Sequence, residues 1–257
     1  MEENKWFNEE EFFTPFNEEL IYKIGEADSL NFRKKSELSQ ALALYKSVEP
    51  LAHDESNFGD GGKLYQTMFF ARYANALSIA NFPEETLKMS QLSEKIMIND
   101  ASSQYTENYL FLGNVHLKMK DFDKAIRLYD KGIDHYTENF EDGKEIVLLY
   151  THKALILLHL NKNEKAKKYF FLAEKYNKTY EKLKPYAFQN DNQAENLLLY
   201  FFLKEIYLKE NNVKKSELYR EKYFYCLQNL TLEEILFEIE NNFLLEIIAD
   251  KILNDFR

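Results

Sequence analysis

Five histidines, one cysteine and one glycine cluster are the residues of this chain with the most chemical reach. His152 and His159 lie seven apart, about 10 Å along a helix, which is too far to share a metal ion. There is no His-x-x-x-His and no second cysteine, so no metal site and no intramolecular disulfide is expected. The lone thiol suits a reducing compartment. Cys226 sits in the run Tyr223-Phe224-Tyr225 and reads as a small buried side chain, not a nucleophile. Asn57-Phe58-Gly59-Asp60-Gly61-Gly62-Lys63 ends in Gly-Gly-Lys but lacks phosphate-loop spacing and follows no strand. It is expected to be a flexible link between helical hairpins. Carboxylates are scattered as on any solvated helical surface. We therefore expect no catalytic residue, no metal, no cofactor and no enzymatic activity.

The elements that would position any site are written in a recurring pattern of small and aromatic residues. It runs Phe70-Ala74-Thr86-Ser93, then Tyr109-Gly113-Ala125-Gly132, then Tyr150-Ala154-Ala166-Ala173. A pattern returning about every forty residues predicts an array of helix pairs. Tyr109, Leu112, Gly113 and His116 fall three and four apart, on one helical face. Asp121 or Asp123 can cap a second helix, whose inner face is Ala125, Tyr129, Gly132 and Tyr136. Small residues at Gly113, Ala125 and Gly132 let two antiparallel helices approach closely. A helical glycine costs about 1 kcal/mol against alanine, so its use here signals a steric demand. Composition agrees: 45% hydrophobic, 16% aromatic, only 7 Gly and 4 Pro in 257 residues.

The spacing Tyr109, Leu112, Gly113, His116, Ala125, Tyr129, Gly132 resembles the tetratricopeptide repeat (TPR). His116 departs where that family has Tyr. The next unit matches at Tyr150, Ala154, Leu157, Ala166, Phe170 and Ala173, with Lys153 in place of Leu. The preceding unit matches at Phe70, Ala74, Leu77 and Ser93, with Thr86 for Ala and Ser90 for the aromatic. A later unit, Tyr200, Leu203, Tyr207 and Ser216, carries Lys204 and Tyr223 at small positions, so its hairpin is expected to be splayed or to end the array. A weak N-terminal unit runs through Ala41 and Tyr45 after a first helix from about Asn17 to Ala27. The likeness covers roughly residues 63–225. The small residue that opens each second helix recurs at Thr86, Ala125, Ala166 and Ser216, intervals of 39, 41 and 50. These exceed the family's 34, and the excess falls between hairpins. The resemblance implies an all-α fold, a right-handed α-solenoid of about five stacked antiparallel hairpins with a C-terminal capping helix. Residues 1–62 form an acidic N-terminal helical segment, 63–229 the repeats, and 230–257 a capping or oligomerisation helix. That last helix opens on the capping box Thr231-Leu-Glu-Glu234 and is expected to run to about Asp255. Its apolar stripe is Leu232, Ile235, Leu236, Ile239, Phe243, Leu244, Ile247, Ile248, Ile252 and Leu253.

In this family the first helix of each hairpin lines the concave face. The residue after the small one then faces the groove: Asn75, Asn114 and Leu155. Side-by-side asparagines suit the backbone of an extended peptide. Arg72, Ser78, Lys118 and Thr151 lie nearby by the same spacing, over an apolar floor of Leu110 and Leu117. Ala71 and Leu110 occupy positions where a carboxylate clamp needs basic residues, so a chaperone C-terminal tail is not the expected ligand. The expected partner is a protein or peptide bound by Arg72, Asn75, Asn114, Lys118 and Thr151. The net charge of −10 disfavours nucleic acid. Residues 1–62 hold 14 Asp/Glu against 6 Lys/Arg, whereas residues 161–222 hold 9 against 14. The basic stretch reads as a solvated helix face, or as a surface for an acidic partner or the acidic end of a second copy. The acidic first twenty residues do not read as a signal peptide, and no apolar run approaches the ~20 residues of a membrane span. A cytoplasmic protein without membrane contact is expected. The alternatives are a peptide-responsive regulator that sequesters another regulator, and a structural subunit that forms a homodimer through the C-terminal helix.

Overall fold

The protein is described here from a computed structural model over residues 16–30, 34–139, 144–183, 193–241 and 249–256. Twelve α-helices and no strand occur among the described residues, so the fold is all-α. Ten of them form five consecutive pairs. These are α1 (Glu18–Ser29) with α2 (Lys35–Ala52), α3 (Gly62–Ile79) with α4 (Pro83–Asn99), and α5 (Thr106–Lys118) with α6 (Phe122–Glu138). Then come α7 (Glu145–His159) with α8 (Asn163–Leu183), and α9 (Gln193–Lys209) with α10 (Val213–Gln228). The helices α11 (Leu232–Asn241) and α12 (Ala249–Phe256) follow. The two helices of each pair pack on one another. Between pairs, α3 meets α5, α5 meets α7 and α7 meets α9, while α2, α4, α6 and α8 each meet the odd helix that follows. The described even helices make no comparable contact with one another.

One turn closes four of the pairs. Its central residue is left-handed each time: Asn81 (φ 63°), Lys120 (φ 62°), Asn161 (φ 57°) and Asn211 (φ 55°). The next residue donates its N–H back to the carbonyl of Leu77, His116, Leu157 or Tyr207 at 2.8–3.0 Å. The left-handed residue itself donates to Ser78, Leu117, Leu158 or Leu208. This paired bonding satisfies the carbonyls that a helix end leaves open, and asparagine tolerates the left-handed well better than most residues. The next helix then starts at once. Asp121 and Asn212 cap α6 and α10, accepting from Lys124 N at 3.1 Å and Lys215 N at 3.2 Å.

The small residues make room within and between pairs. A Cβ on Gly113 would stand 2.2 Å from the Tyr129 ring of its own pair. A Cβ on Gly132 would meet Leu149 of the next pair and Tyr109, both at 3.0 Å. Gly113 thus serves the hairpin, and Gly132 serves the stacking of one hairpin on the next. The cores follow the stack. One joins α1–α4 to Val115, a second joins α5–α12, and Ala71, Met97, Tyr109, Leu112 and Leu128 lie between them. Aromatic rings fill the larger gaps, as where Tyr150 stacks between Tyr169 and Tyr176.

One expectation is revised and two are made more specific. The glycine cluster is an ordered corner, not a loose link: Glu55–Gly61 is a 3₁₀ turn with Phe58 buried, and the Asn57 carbonyl accepts from Asn17 N at 2.8 Å. The α9–α10 pair, expected to be splayed or to end the array, is closed and is the last of the described pairs. Its turn matches the others, Tyr223 is fully buried, and Lys204 is accommodated by laying its ammonium 4.7 Å from the Phe201 and Tyr223 rings. Such cation–π contact lets a long side chain stand where a small one is usual. The C-terminal region begins with the expected capping box, Thr231 N donating to Glu234 Oε2 at 2.7 Å and Glu234 N to Thr231 Oγ1 at 3.2 Å. Its described parts are two helices, and Phe243, Leu244, Ile247 and Ile248 lie outside the described residues.

Two glycine substitutions separate propensity from space. Gly25 in α1 has nothing within 4 Å of an added Cβ. Gly25→Ala is expected to stabilise by about 0.5–1 kcal/mol. Gly113→Ala is expected to destabilise by about 1–3 kcal/mol, because the Tyr129 ring is buried and hydrogen-bonded and the overpacking outweighs a propensity gain of about 1 kcal/mol. Denaturant unfolding of the two variants checks both signs.

Candidate functional site

The odd helices form one row, and polar side chains link its members. Arg72 on α3 pairs with Asp28 on α1 and with Glu107 on α5, the latter at 2.8 Å. Burial works against the guanidinium charge, but Glu107 and Asp28 outweigh it and hold the group protonated. Asp28 also accepts from the Tyr45 hydroxyl at 2.6 Å, and burial together with that carboxylate pushes the phenol up. Asn114 on α5 uses its side-chain oxygen twice, with the Tyr129 hydroxyl at 2.8 Å and His152 Nδ1 of α7 at 2.9 Å. At the far end Glu205 on α9 pairs with Lys251 on α12 at 2.7 Å.

The residues expected to bind a partner are therefore placed as follows. Arg72 and Asn114 are half-buried, and each spans two or three pairs. Lys118 is half-exposed one turn beyond Asn114 on α5. Asn75 is 8% exposed. Thr151 is 1% exposed and donates its hydroxyl to the Val147 carbonyl at 2.8 Å, which makes it a core residue of α7. Leu155 is equally buried. The face thus presents Arg72, Asn114 and Lys118, flanked by Glu107 and His152, which the register did not single out. Carried one unit further, that same register reaches Glu205, directly after Lys204. Of the two α7 histidines, His152 bonds Asn114, and His159 lies against the Phe122 ring with centroids 5.0 Å apart.

The even row carries its own polar ties. Glu94 on α4 bonds His116 of α5 at 3.1 Å and Lys124 of α6 at 2.8 Å. The 6%-exposed Glu174 on α8 accepts from Tyr207 Oη of α9 at 2.5 Å and Tyr219 Oη of α10 at 2.6 Å, and pairs with Lys178. Burial alone would raise the Glu174 carboxyl, but these donors outweigh it and hold the group below its ordinary range. A surface depression of about 390 Å³ lies on α8, lined by Glu164, Lys167, Lys168, Phe171 and Leu172. Cys226 is buried, and burial pushes its thiol up to about 12, unsuited to nucleophilic chemistry at neutral pH. Among the described residues no three His, Cys, Asp or Glu side chains are grouped to hold a metal ion, and no helix is long and apolar enough to cross a membrane.

No protein-family model and no curated protein matches this chain. Among solved structures, BtubC (BKLC) from P. vanneervenii is similar, with a TM-score of 0.50 and 16% identity over 92% of this chain and 86% of that one. At that identity the likeness speaks to the all-α fold alone.

Glu174 yields a pH test. Its carboxyl is held low in the folded protein, so on acidification the unfolded chain takes up the proton first. The stabilisation is full above the ordinary carboxylate value and drains away as the pH falls through the folded value. Thermal unfolding from pH 7 to pH 3 is expected to show a steeper acid loss in the wild type than in Glu174→Gln. Parallel curves would remove Glu174 from this role.

Proposed function

We propose that this chain is a non-enzymatic TPR-type binding module, a superhelical scaffold that engages a protein or peptide segment on its odd-helix row. The observation that carries the reading is the asymmetry of the stack. From α3 to α9 the odd helices touch in succession and the described even helices do not do so comparably, which supports a stack that bends toward the odd row, with that row as its concave side. The half-buried Arg72, Asn114 and Lys118 lie on α3 and α5 within it. Repeat stacks use such extended concave surfaces for recognition. The four equivalent left-handed turns, recurring at the same 39, 41 and 50 residue intervals as the small residues, support the repeat assignment.

A reducing, cytoplasmic setting suits a chain whose single thiol is buried. A homodimer through the C-terminal stripe gains less support. Ile235 and Ile252 are already spent inside the chain at 2% and 1% exposure, although Leu232 and Leu236 remain exposed. The net acidic charge sets nucleic acid aside as a partner.

The test places a photo-crosslinking amino acid at Asn114 or Lys118 in the odd row, and at the exposed Lys131 of α6 in the even row. Crosslinked species recurring at Asn114 and Lys118 but absent at Lys131 are expected. Recovery only at Lys131 would move the binding surface to the even row.

A further inference from the structure

The even helices change sign along the stack. In α2 two Lys match two Glu, α4 holds three Glu against two Lys, and α6 holds four Asp/Glu against three Lys/Arg. In α8 six Lys stand against three Glu, and in α10 four Lys/Arg against two Glu. The two basic helices turn cations toward one another. Lys167, Phe171, Glu174 and Lys178 share one face of α8, and Lys215, Tyr219 and Lys222 share one face of α10. Glu174 Oε1 accepts from Tyr219 Oη at 2.6 Å, and Lys178 Nζ stands 6.0 Å from the Tyr219 ring, so the two faces meet across a furrow. Tyr207 of α9 lies between them, its ring 5.6 Å from that of Phe171 and 4.5 Å from Lys215 Nζ. Residues 167–178 and 215–222 are all among the described residues.

The cations exceed what packing requires. At the positions of Lys167, Phe171, Glu174 and Lys178, α6 has Ile126, Asp130, Ile133 and Thr137, and α4 has Leu87, Gln91, Glu94 and Ile98. Glu174 pairs with Lys178, and Glu210 with Lys167. Lys215 has only the Tyr207 hydroxyl, at 3.0 Å, and no carboxylate among the described residues. Beside the furrow, the depression of about 390 Å³ sinks past Lys167 and Lys168 onto Phe171 and Leu172. An apolar hollow rimmed by ammoniums suits an aromatic ring flanked by carboxylates.

The chain itself carries that chemistry. Residues 2–13 read Glu-Glu-Asn-Lys-Trp-Phe-Asn-Glu-Glu-Glu-Phe-Phe, with five carboxylates and four aromatic rings against one lysine. Reach decides whose furrow they meet. Asn17 N donates to the Asn57 carbonyl at 2.8 Å, which holds residue 17 on the first pair. With residues 2–13 docked, Thr14, Pro15 and Phe16 span about 10 Å at full extension. The second and third pairs separate the first pair from the furrow, roughly 20 Å at the spacing of packed helices.

We propose that the furrow between α8 and α10 is a docking surface for residues 2–13 of a second copy of this chain. The acidic side chains meet the lysines, and an aromatic side chain enters the hollow over Phe171 and Leu172. The contact joins unlike surfaces, so each copy offers one of each and association continues past a dimer unless a ring closes. It lies on the even side, apart from Arg72, Asn114 and Lys118.

Sedimentation velocity of the full chain at rising concentration is expected to show association that weakens with salt. Lys168→Glu with Lys215→Glu alters the furrow, and Glu9→Lys with Glu10→Lys and Glu11→Lys alters the segment. Each set is expected to weaken association about tenfold, and circular dichroism verifies the fold of both. Mixing the two variants is expected to restore association, because the native segment of the first meets the native furrow of the second. A variant that has merely lost its fold does not complement in this way. A wild type that stays monomeric at every concentration, or variants that fail to complement, would overturn the proposal. So would polyglutamate competing as well as a synthetic peptide of residues 2–13, which would make the furrow a general acid-binding surface. Binding of that peptide to a wild type that does not self-associate would assign the furrow to another acidic protein and also overturn it. Crosslinking at Asn114 and Lys118 reads the odd row independently, so either proposal can fail alone.

Discussion

A helix pair has two broad faces and cannot bury both by itself. That constraint organises the whole molecule. Each pair closes internally around small residues and then presents an apolar and aromatic surface that only a neighbour can cover. Gly113 and Gly132 show the two halves of the requirement. The first admits the Tyr129 ring within a pair, and the second admits Leu149 of the next pair. The N-terminal pair, the glycine corner around Phe58 and the C-terminal helices are all consequences of having to begin and end such a stack.

Polar groups enter mainly where one pair meets another. Asp28, Arg72 and Glu107 tie the first three pairs, Asp130 and Lys153 tie the third to the fourth, and Glu174 ties the fourth to the fifth. Glu205 and Lys251 tie the fifth to α12. A carboxylate taken from water must be paired or hydrogen-bonded, so each tie is satisfied only in one register of the neighbouring helix. Packing supplies the bulk of the stability and these contacts supply the alignment. The arrangement also ties structure to use, because Arg72 and Asn114 lie on the candidate binding face and at the same time join successive pairs.

Helix α11 adds a second form of closure. Ile235 is buried in the C-terminal core, and Phe237, two residues on, packs against the N-terminal one. The C-terminal region therefore both covers the fifth pair and reaches back along the stack. Ile235 and Ile252 are thereby spent within the chain.

The helical pairs, the small positions, the Asp121 cap and the Thr231 box could be read directly from residue types, because each depends on neighbours within one or two turns. The turn asparagines Asn81, Asn161 and Asn211 carried the same information and could have strengthened that reading. Face assignment was less legible. Asn75 and Thr151 were expected among exposed groove residues, yet both are buried, and Thr151 spends its hydroxyl on the Val147 carbonyl. Lys204 looked like a misfit until the rings of Phe201 and Tyr223, distant from one another along the chain, gave it a place. Spacing along a helix determines which residues share a face. What covers that face depends on contacts between segments far apart in sequence, and those exist only once the pairs are stacked.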